Sequence, residues 1–113
     1  MEATVRAIAE PHRRRILRLV ADQELSAGEI ADEFEITRPA VSQHLTVLRN
    51  AGLLAERRDG TKRLYRARPE GFDGLRQFLE AFWDEGLGRL KAEAEVEERR
   101  KRRARPGTQR RRA

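Results

Sequence analysis

The sequence predicts a mainly α-helical fold with a small β-hairpin wing, the winged helix-turn-helix arrangement, and three observations point to it. Ser26-Ala27-Gly28-Glu29 has the form of a capping box, with Ser26 as N-cap and Glu29 reaching back, so it opens a helix. About three residues separate that helix from the next, TRPAVSQHLTVLRNAGLL, which is the connection length of a helix-turn-helix. Two extended runs then flank Asp59-Gly60, a strong short-range hairpin signal.

The remaining elements fit around these. Thr4, Val5, Ile8 and Ala9 suit one face of a short first helix ending near Pro11. Pro11 fits the first turn of a second helix, where a missing N–H costs nothing, and Ile16, Leu17, Leu19 and Val20 form its apolar side. The third helix turns Ile30, Ala31 and Phe34 inward. In the fourth, Thr37 is the N-cap, Pro39 sits in the tolerated first turn, and Val41, Leu45 and Leu48 fall on one face at i, i+4, i+7. Asn50-Ala51-Gly52 supplies its stop.

Helical spacing returns from Phe72 to Val96 through Phe72, Leu75, Phe78, Leu79, Phe82, Trp83, Leu87 and Leu90. The apolar set covers more than one face, so this helix is expected to pack on its own domain on one side and on a second subunit on the other. The terminal helices are thus expected to dimerise, through Val5 and Ile8 at the start and Leu79, Phe82, Trp83, Leu87 and Leu90 at the end. An effector pocket between aromatic helices is the alternative use of the same side chains. Gly86 and Gly88 weaken the helix by about 1 kcal/mol each relative to Ala.

The chain of 113 residues suits one domain plus tails. Residues 1–96 are expected to form the winged-helix and dimerisation domain. Residues 97–113 read as a basic tail too poor in apolar area to fold, adding nonspecific DNA affinity or serving only as a solubilising extension. With no cysteine, disulfides and thiolate chemistry are excluded. No apolar run suits a membrane span or a signal peptide, which points to the cytoplasm.

The formal charge of +6 is misleading as a total, because residues 99–113 hold nine basic side chains and no acid. The rest is slightly acidic and blocked by sign: residues 36–68 have eight basic and two acidic side chains, whereas 69–98 have three and nine. Such a distribution steers a polyanion onto residues 36–68.

Within that basic block, Arg38, Pro39, Ser42, Gln43 and Thr46 share one side of the fourth helix, opposite Val41, Leu45 and Leu48. Reading the major groove takes short donors and acceptors near a helix N-terminus: Gln pairs with adenine, Arg with guanine, Ser with either. Thr37 at the cap completes the set. On the hairpin, Arg58, Lys62 and Arg63 are the expected phosphate contacts. Strand alternation places the hairpin cations on two faces, so not all of them reach DNA. His44 borders the apolar side, where a local hydrogen bond or a phosphate contact suits it better than a metal. His12 and His44 have no nucleophile or carboxylate at motif spacing, and there is no Gly-rich phosphate loop, so no enzyme activity, cofactor or metal is expected.

Together EPHRRRILRLV, LSAGEIADEF, TRPAVSQHLTVLRNAGLL and the segment from ERRDGTKRLYRAR to AEAE resemble the ArsR/SmtB family of bacterial winged-helix regulators, over about residues 4–95. The resemblance implies a homodimer, a fourth helix in the major groove, and repression by occluding an operator. The family's metal sensors carry a Cys-x-Cys-type site after an E-L pair, or Asp and His pairs on the terminal helix. Here Glu24-Leu25 is followed by Ser26-Ala27-Gly28, and residues 72–96 contain no His.

The sequence thus reads as a dimeric, sequence-specific regulator of the branch lacking those metal sites, nucleoid-associated in the cytoplasm and partnered by double-stranded DNA, a second copy of itself and an unidentified small-molecule or protein effector. Added zinc and chelators are expected to leave operator binding unchanged. The alternatives are an architectural DNA-binding protein relying on the tail, or a winged-helix module whose aromatic helix binds another protein.

Overall fold

The computed structural model describes residues 1–104. Its elements run α1 (Glu2–Ile8), α2 (Pro11–Leu19), β1 (Leu25–Ser26), α3 (Ala27–Ala31), α4 (Arg38–Asn50), β2 (Leu54–Asp59) and β3 (Lys62–Ala67). A 3₁₀ turn at Pro69–Phe72 leads into α5 (Asp73–Phe82), a π-helical stretch at Trp83–Leu87 and α6 (Gly88–Ala104). Two compact units divide the chain, Met1–Arg76 and the segment from Gln77 on. The expected boundary after residue 96 does not appear among the described residues. Instead α6 carries helix through residues 97–104; residues 105–113 of the expected tail lie outside those described.

The core of the first unit is Ala7, Ile16, Val20, Ile30, Val41, Leu45, Leu48, Leu53, Leu54 and Tyr65. In α1 the buried residues are Thr4 and Ala7, while Ile8 is partly buried and Val5 is 42% exposed, so the inward face is turned by about one residue from the Thr4-Val5-Ile8-Ala9 set. Small Ala7 lets α1 approach closely. In α2 the expected side holds, with Ile16 and Val20 fully buried. Glu10 is its N-cap, its side chain accepting from the Arg13 N–H, and Pro11 fills the first helical position.

The capping box at Ser26 is complete: Glu29 N–H donates to Ser26 Oγ at 3.2 Å and Ser26 N–H donates to Glu29 Oε1 at 2.8 Å. Ser26 also ends β1, which pairs antiparallel with β3 in the register Leu25↔Tyr65 and Ser26↔Leu64. The wing is therefore a three-stranded sheet in the order β1-β3-β2, and the first strand is too short to show an alternation pattern.

Helix α3 stops at Ala31, so the connection to α4 is six residues, 32–37, rather than about three. The cause is local. Glu33 N–H bonds to Ile30 O and Phe34 N–H to Ala31 O, which tightens the helix end into i→i+3 turns. Phe34 thus packs against the core from this turn, not from the helix.

Helix α4 ends as a Schellman motif. Gly52 takes φ +79°, its N–H reaches Arg49 O at 2.9 Å, and Leu53 N–H reaches Leu48 O at 3.0 Å. Arg68 locks this end, donating from its backbone N–H to Leu53 O and from Nη1 to Gly52 O, both at 2.8 Å. In the hairpin, Asp59 pairs with Lys62, so the central residues are Gly60-Thr61 and not Asp59-Gly60. Only Gly60 has positive φ, +67°, which matches a type II′ turn with Gly first instead of a type I′ Asp-Gly turn.

In the second unit the large apolar side chains are exposed. Phe78, Leu79, Phe82, Trp83, Leu87 and Leu90 range from 36% to 64% accessible. At the π-helical stretch the Gly88 N–H is shared between Asp84 O and Glu85 O, so Gly86 and Gly88 accompany a change of helical pitch. No described helix is long and apolar enough to cross a membrane.

Candidate nucleic-acid interface

Helix α4 is positioned from three sides. Thr37 Oγ1 accepts from the Ala40 N–H at 3.2 Å at its start, the buried Val41, Leu45 and Leu48 hold its inner face, and the Gly52 motif fixes its end. Its outer face then presents Arg38, Pro39, Ser42, Gln43 and Thr46, all exposed as the spacing predicts. The Ser42 and Gln43 side chains make no hydrogen bond within the described residues, whereas the Thr46 hydroxyl donates to Ser42 O at 3.1 Å. Thr46 keeps its oxygen lone pairs for an incoming donor.

Ser42, Gln43, Thr46 and Val47 line a shallow depression on this face. Val47, 39% exposed, is the residue that sequence reasoning missed. Its place one turn beyond Gln43 was the available signal, and an exposed valine there offers an apolar contact of the type that reads a thymine methyl. Arg38 reaches across to α3: a Cβ built on Gly28 would lie 3.2 Å from Arg38 Nη2. The missing side chain at Gly28 makes room for that guanidinium.

On the wing, one face carries Leu54, Glu56, Arg58, Arg63, Tyr65 and Ala67, and the other carries Ala55, Arg57, Asp59, Lys62, Leu64 and Arg66. The expected set is therefore split, with Arg58 and Arg63 on one face and Lys62 on the other. Arg63 is tied to Glu56 at 3.2 Å, and Glu56 also holds Arg49 of α4 at 2.8 Å. This acid links α4 to the wing. Arg57 makes a bidentate pair with Glu24, both bonds 2.8 Å, and is committed to that pair; the same bonds lower the Glu24 carboxyl below its ordinary range. Arg58, Lys62 and Arg66 have no acidic partner among the described residues. Arg58 and Arg63 face one another directly across the strands, a like-charge pair that destabilises a bare hairpin.

The arginines of His12-Arg13-Arg14-Arg15 have structural tasks. Arg13 Nε donates to Ala7 O and Arg14 Nη1 to Ile8 O, each at 2.7 Å, so both satisfy carbonyls at the end of α1. Arg15 lies over the Phe34 ring, 4.6 Å from its centroid.

His44 faces away from the outer side of α4. It is half-buried, with Nδ1 3.3 Å from Arg13 Nη1 and its ring stacked on His12 at a centroid distance of 5.6 Å. Burial pushes its pKa below the ordinary imidazole value. His12 Nδ1 is 2.9 Å from Glu10 Oε2, and that hydrogen bond, with the Arg13 N–H and against partial burial, holds the Glu10 carboxyl at a pKa of about 2. The sequence excludes a carboxylate at catalytic-motif spacing, and this hydrogen-bonding neighbour lies outside that exclusion. Glu10 is only two residues from His12, but the fold is what adds His44.

Among known proteins, the family profile described as "Bacterial regulatory protein, arsR family" matches residues 10–56. The HTH-type transcriptional regulator Rv2034 of Mycobacterium tuberculosis is 43% identical over 81 residues, covering 72% of this chain and 76% of the relative. The transcriptional repressor SdpR of Bacillus subtilis is 38% identical over 60 residues, covering 53% and 67%. A crystal structure of a "possible transcriptional regulator for arsenical resistance" superposes with TM-score 0.64 at 42% identity, covering 78% of this chain and 92% of that one. An ArsR-like transcriptional regulator from Rhodococcus sp. RHA1 gives TM-score 0.70 at 25% identity, covering 84% and 90%. These proteins are regulators and not enzymes, and with the helix-turn-helix, the wing and the outward polar face of α4 in place, this chain belongs to the ArsR family of bacterial transcriptional regulators.

Proposed function

We propose that the protein is a homodimeric, sequence-specific repressor whose two α4 helices enter successive major grooves of an inverted-repeat operator. The observation that carries this reading is the outer face of α4, where Arg38, Ser42 and Gln43 stand exposed, with the Ser42 and Gln43 side chains free of hydrogen bonds within the described residues, on a helix otherwise fixed by its cap, core and Schellman end. A polar row held that rigidly suits base-edge contacts. Arg58 and Lys62, without acidic partners among the described residues, serve as phosphate contacts, and Arg63 does so if Glu56 keeps only Arg49. Thr37 and Pro39 set the approach of the helix start.

Dimerisation is assigned to the exposed apolar row Leu79, Phe82, Trp83, Leu87 and Leu90 of the second unit, and to Val5 and Ile8 of the first. A two-fold axis then separates the recognition helices by about 34–36 Å. Repression follows the sign of the Bacillus subtilis relative. Control does not use the thiolate or terminal-helix sites of the family's metal sensors; an unidentified small-molecule or protein effector is the regulator's input, and the protein acts in the cytoplasm on the nucleoid.

Arg38→Ala and Gln43→Ala are each expected to lower affinity for the operator by about 1–3 kcal/mol while changing affinity for random DNA much less. Fluorescence anisotropy on a selected operator and a scrambled duplex at the same salt measures both. Equal losses on the two duplexes would instead favour an architectural DNA-binding protein.

A further inference from the structure

We propose that Glu10, His12 and His44 form a binding site for one zinc-type divalent ion, joining the start of α2 to the inner side of the recognition helix. Each residue offers one ligand atom, and the three atoms lie within 4.8 Å of one another. Zinc bonds of about 2.0–2.2 Å place tetrahedral ligands about 3.3–3.5 Å apart. Closing the set takes ligand-atom shifts on the order of 1 Å, a distance within reach of side-chain rotation. Oε2 of Glu10 and Nδ1 of His12, 2.9 Å apart, are already near ligand separation. An ion bound at His12 Nδ1 takes the place of the hydrogen bond to Glu10, and a neutral imidazole then carries its proton on Nε2.

The donor set selects the class of ion. Two imidazoles and one carboxylate suit zinc, nickel or copper, whereas calcium and magnesium require mainly oxygen. Glu10 is fixed by its capping role, because Oε1 accepts from the Arg13 N–H at 3.1 Å.

Arg13 is the competitor. Its Nη1 lies 3.3 Å from His44 Nδ1 and would give up that contact to an ion bound there, while its Nε and Nη2 remain on Ala7 O and Arg6 O. A fourth position is left for water. The site uses neither cysteine nor the terminal helix, on whose lack of ligands the expectation of indifference to zinc rested: 31 residues lie between the two histidines, and the packing of α2 on α4 joins them. It stands on the side-chain cluster and is independent of the DNA-binding reading.

Zinc titration of the full chain by isothermal calorimetry near neutral pH is the test, with cobalt absorption as a report of ligand type. One ion per chain is expected, weakened about tenfold or more by His12→Gln and again by His44→Gln. Zinc should raise the Tm of the wild type and leave that of His12→Gln unmoved. His12 is outside the core, so this variant remains informative if His44→Gln fails to fold. No saturable binding, or binding that His12→Gln leaves unchanged, overturns the site.

Discussion

Gly71→Ala is expected to destabilise the fold by more than about 3 kcal/mol and to leave little folded protein. A Cβ at Gly71 would overlap the carbonyl oxygen of Gly52 and crowd its carbon, with Leu53 Cδ2 next at 3.1 Å. None of these can step aside cheaply. Gly52 is held by its own left-handed conformation and by Arg68 Nη1 on its carbonyl, and Leu53 is fully buried. The Gly71 carbonyl also accepts from Thr4 Oγ1 at 3.4 Å, so the strain reaches α1. Gly74→Ala is the matched control: the nearest atom to its Cβ is Met1 Cβ at 3.7 Å, ordinary contact distance, and Ala favours the helix by up to about 1 kcal/mol. Urea unfolding followed by circular dichroism separates the two, and equal midpoints would mean that the 68–71 turn is not docked on the end of α4.

Leu48→Ala should cost about 2–5 kcal/mol. Leu48 is fully buried in the cluster with Val41 and Leu45, and its carbonyl receives the Leu53 N–H that closes the Schellman motif. The substitution removes packing beneath the outer face without touching Arg38, Ser42 or Gln43. Denaturant midpoints are expected to fall sharply, while Ser42→Ala on the exposed face shifts stability by no more than about 0.5 kcal/mol. A loss below about 1 kcal/mol for Leu48→Ala would show that α4 is not anchored by its inner row.

What the sequence displayed openly was local. Ser26 with Glu29, Thr37 before Pro39, and the row Val41-Leu45-Leu48 are written within one or two helical turns, and the structure has each. The wing was legible as a hairpin but its turn was one residue off, because an Asp-Gly pair and a Gly-Thr pair are both acceptable centres and only strand pairing decides between them. Strand β1 was invisible because two residues have no period. Gly71 looked like any loop glycine; its constraint comes from Gly52, far along the chain. The inward turn of Ala7 in place of Val5, and the meeting of His12 with His44, likewise depend on which helix lies opposite, and composition does not encode that.

The opposed Arg58 and Arg63 give dissolved salt two opposite effects. Added ions screen the repulsion across the hairpin, so the free wing becomes better ordered as ionic strength rises. In the proposed complex the same ions would compete with these guanidiniums for DNA phosphate and weaken the contact. Glu56 offsets Arg63 alone, so in the proposed complex a phosphate would supply the counter-charge that Arg58 lacks among the described residues.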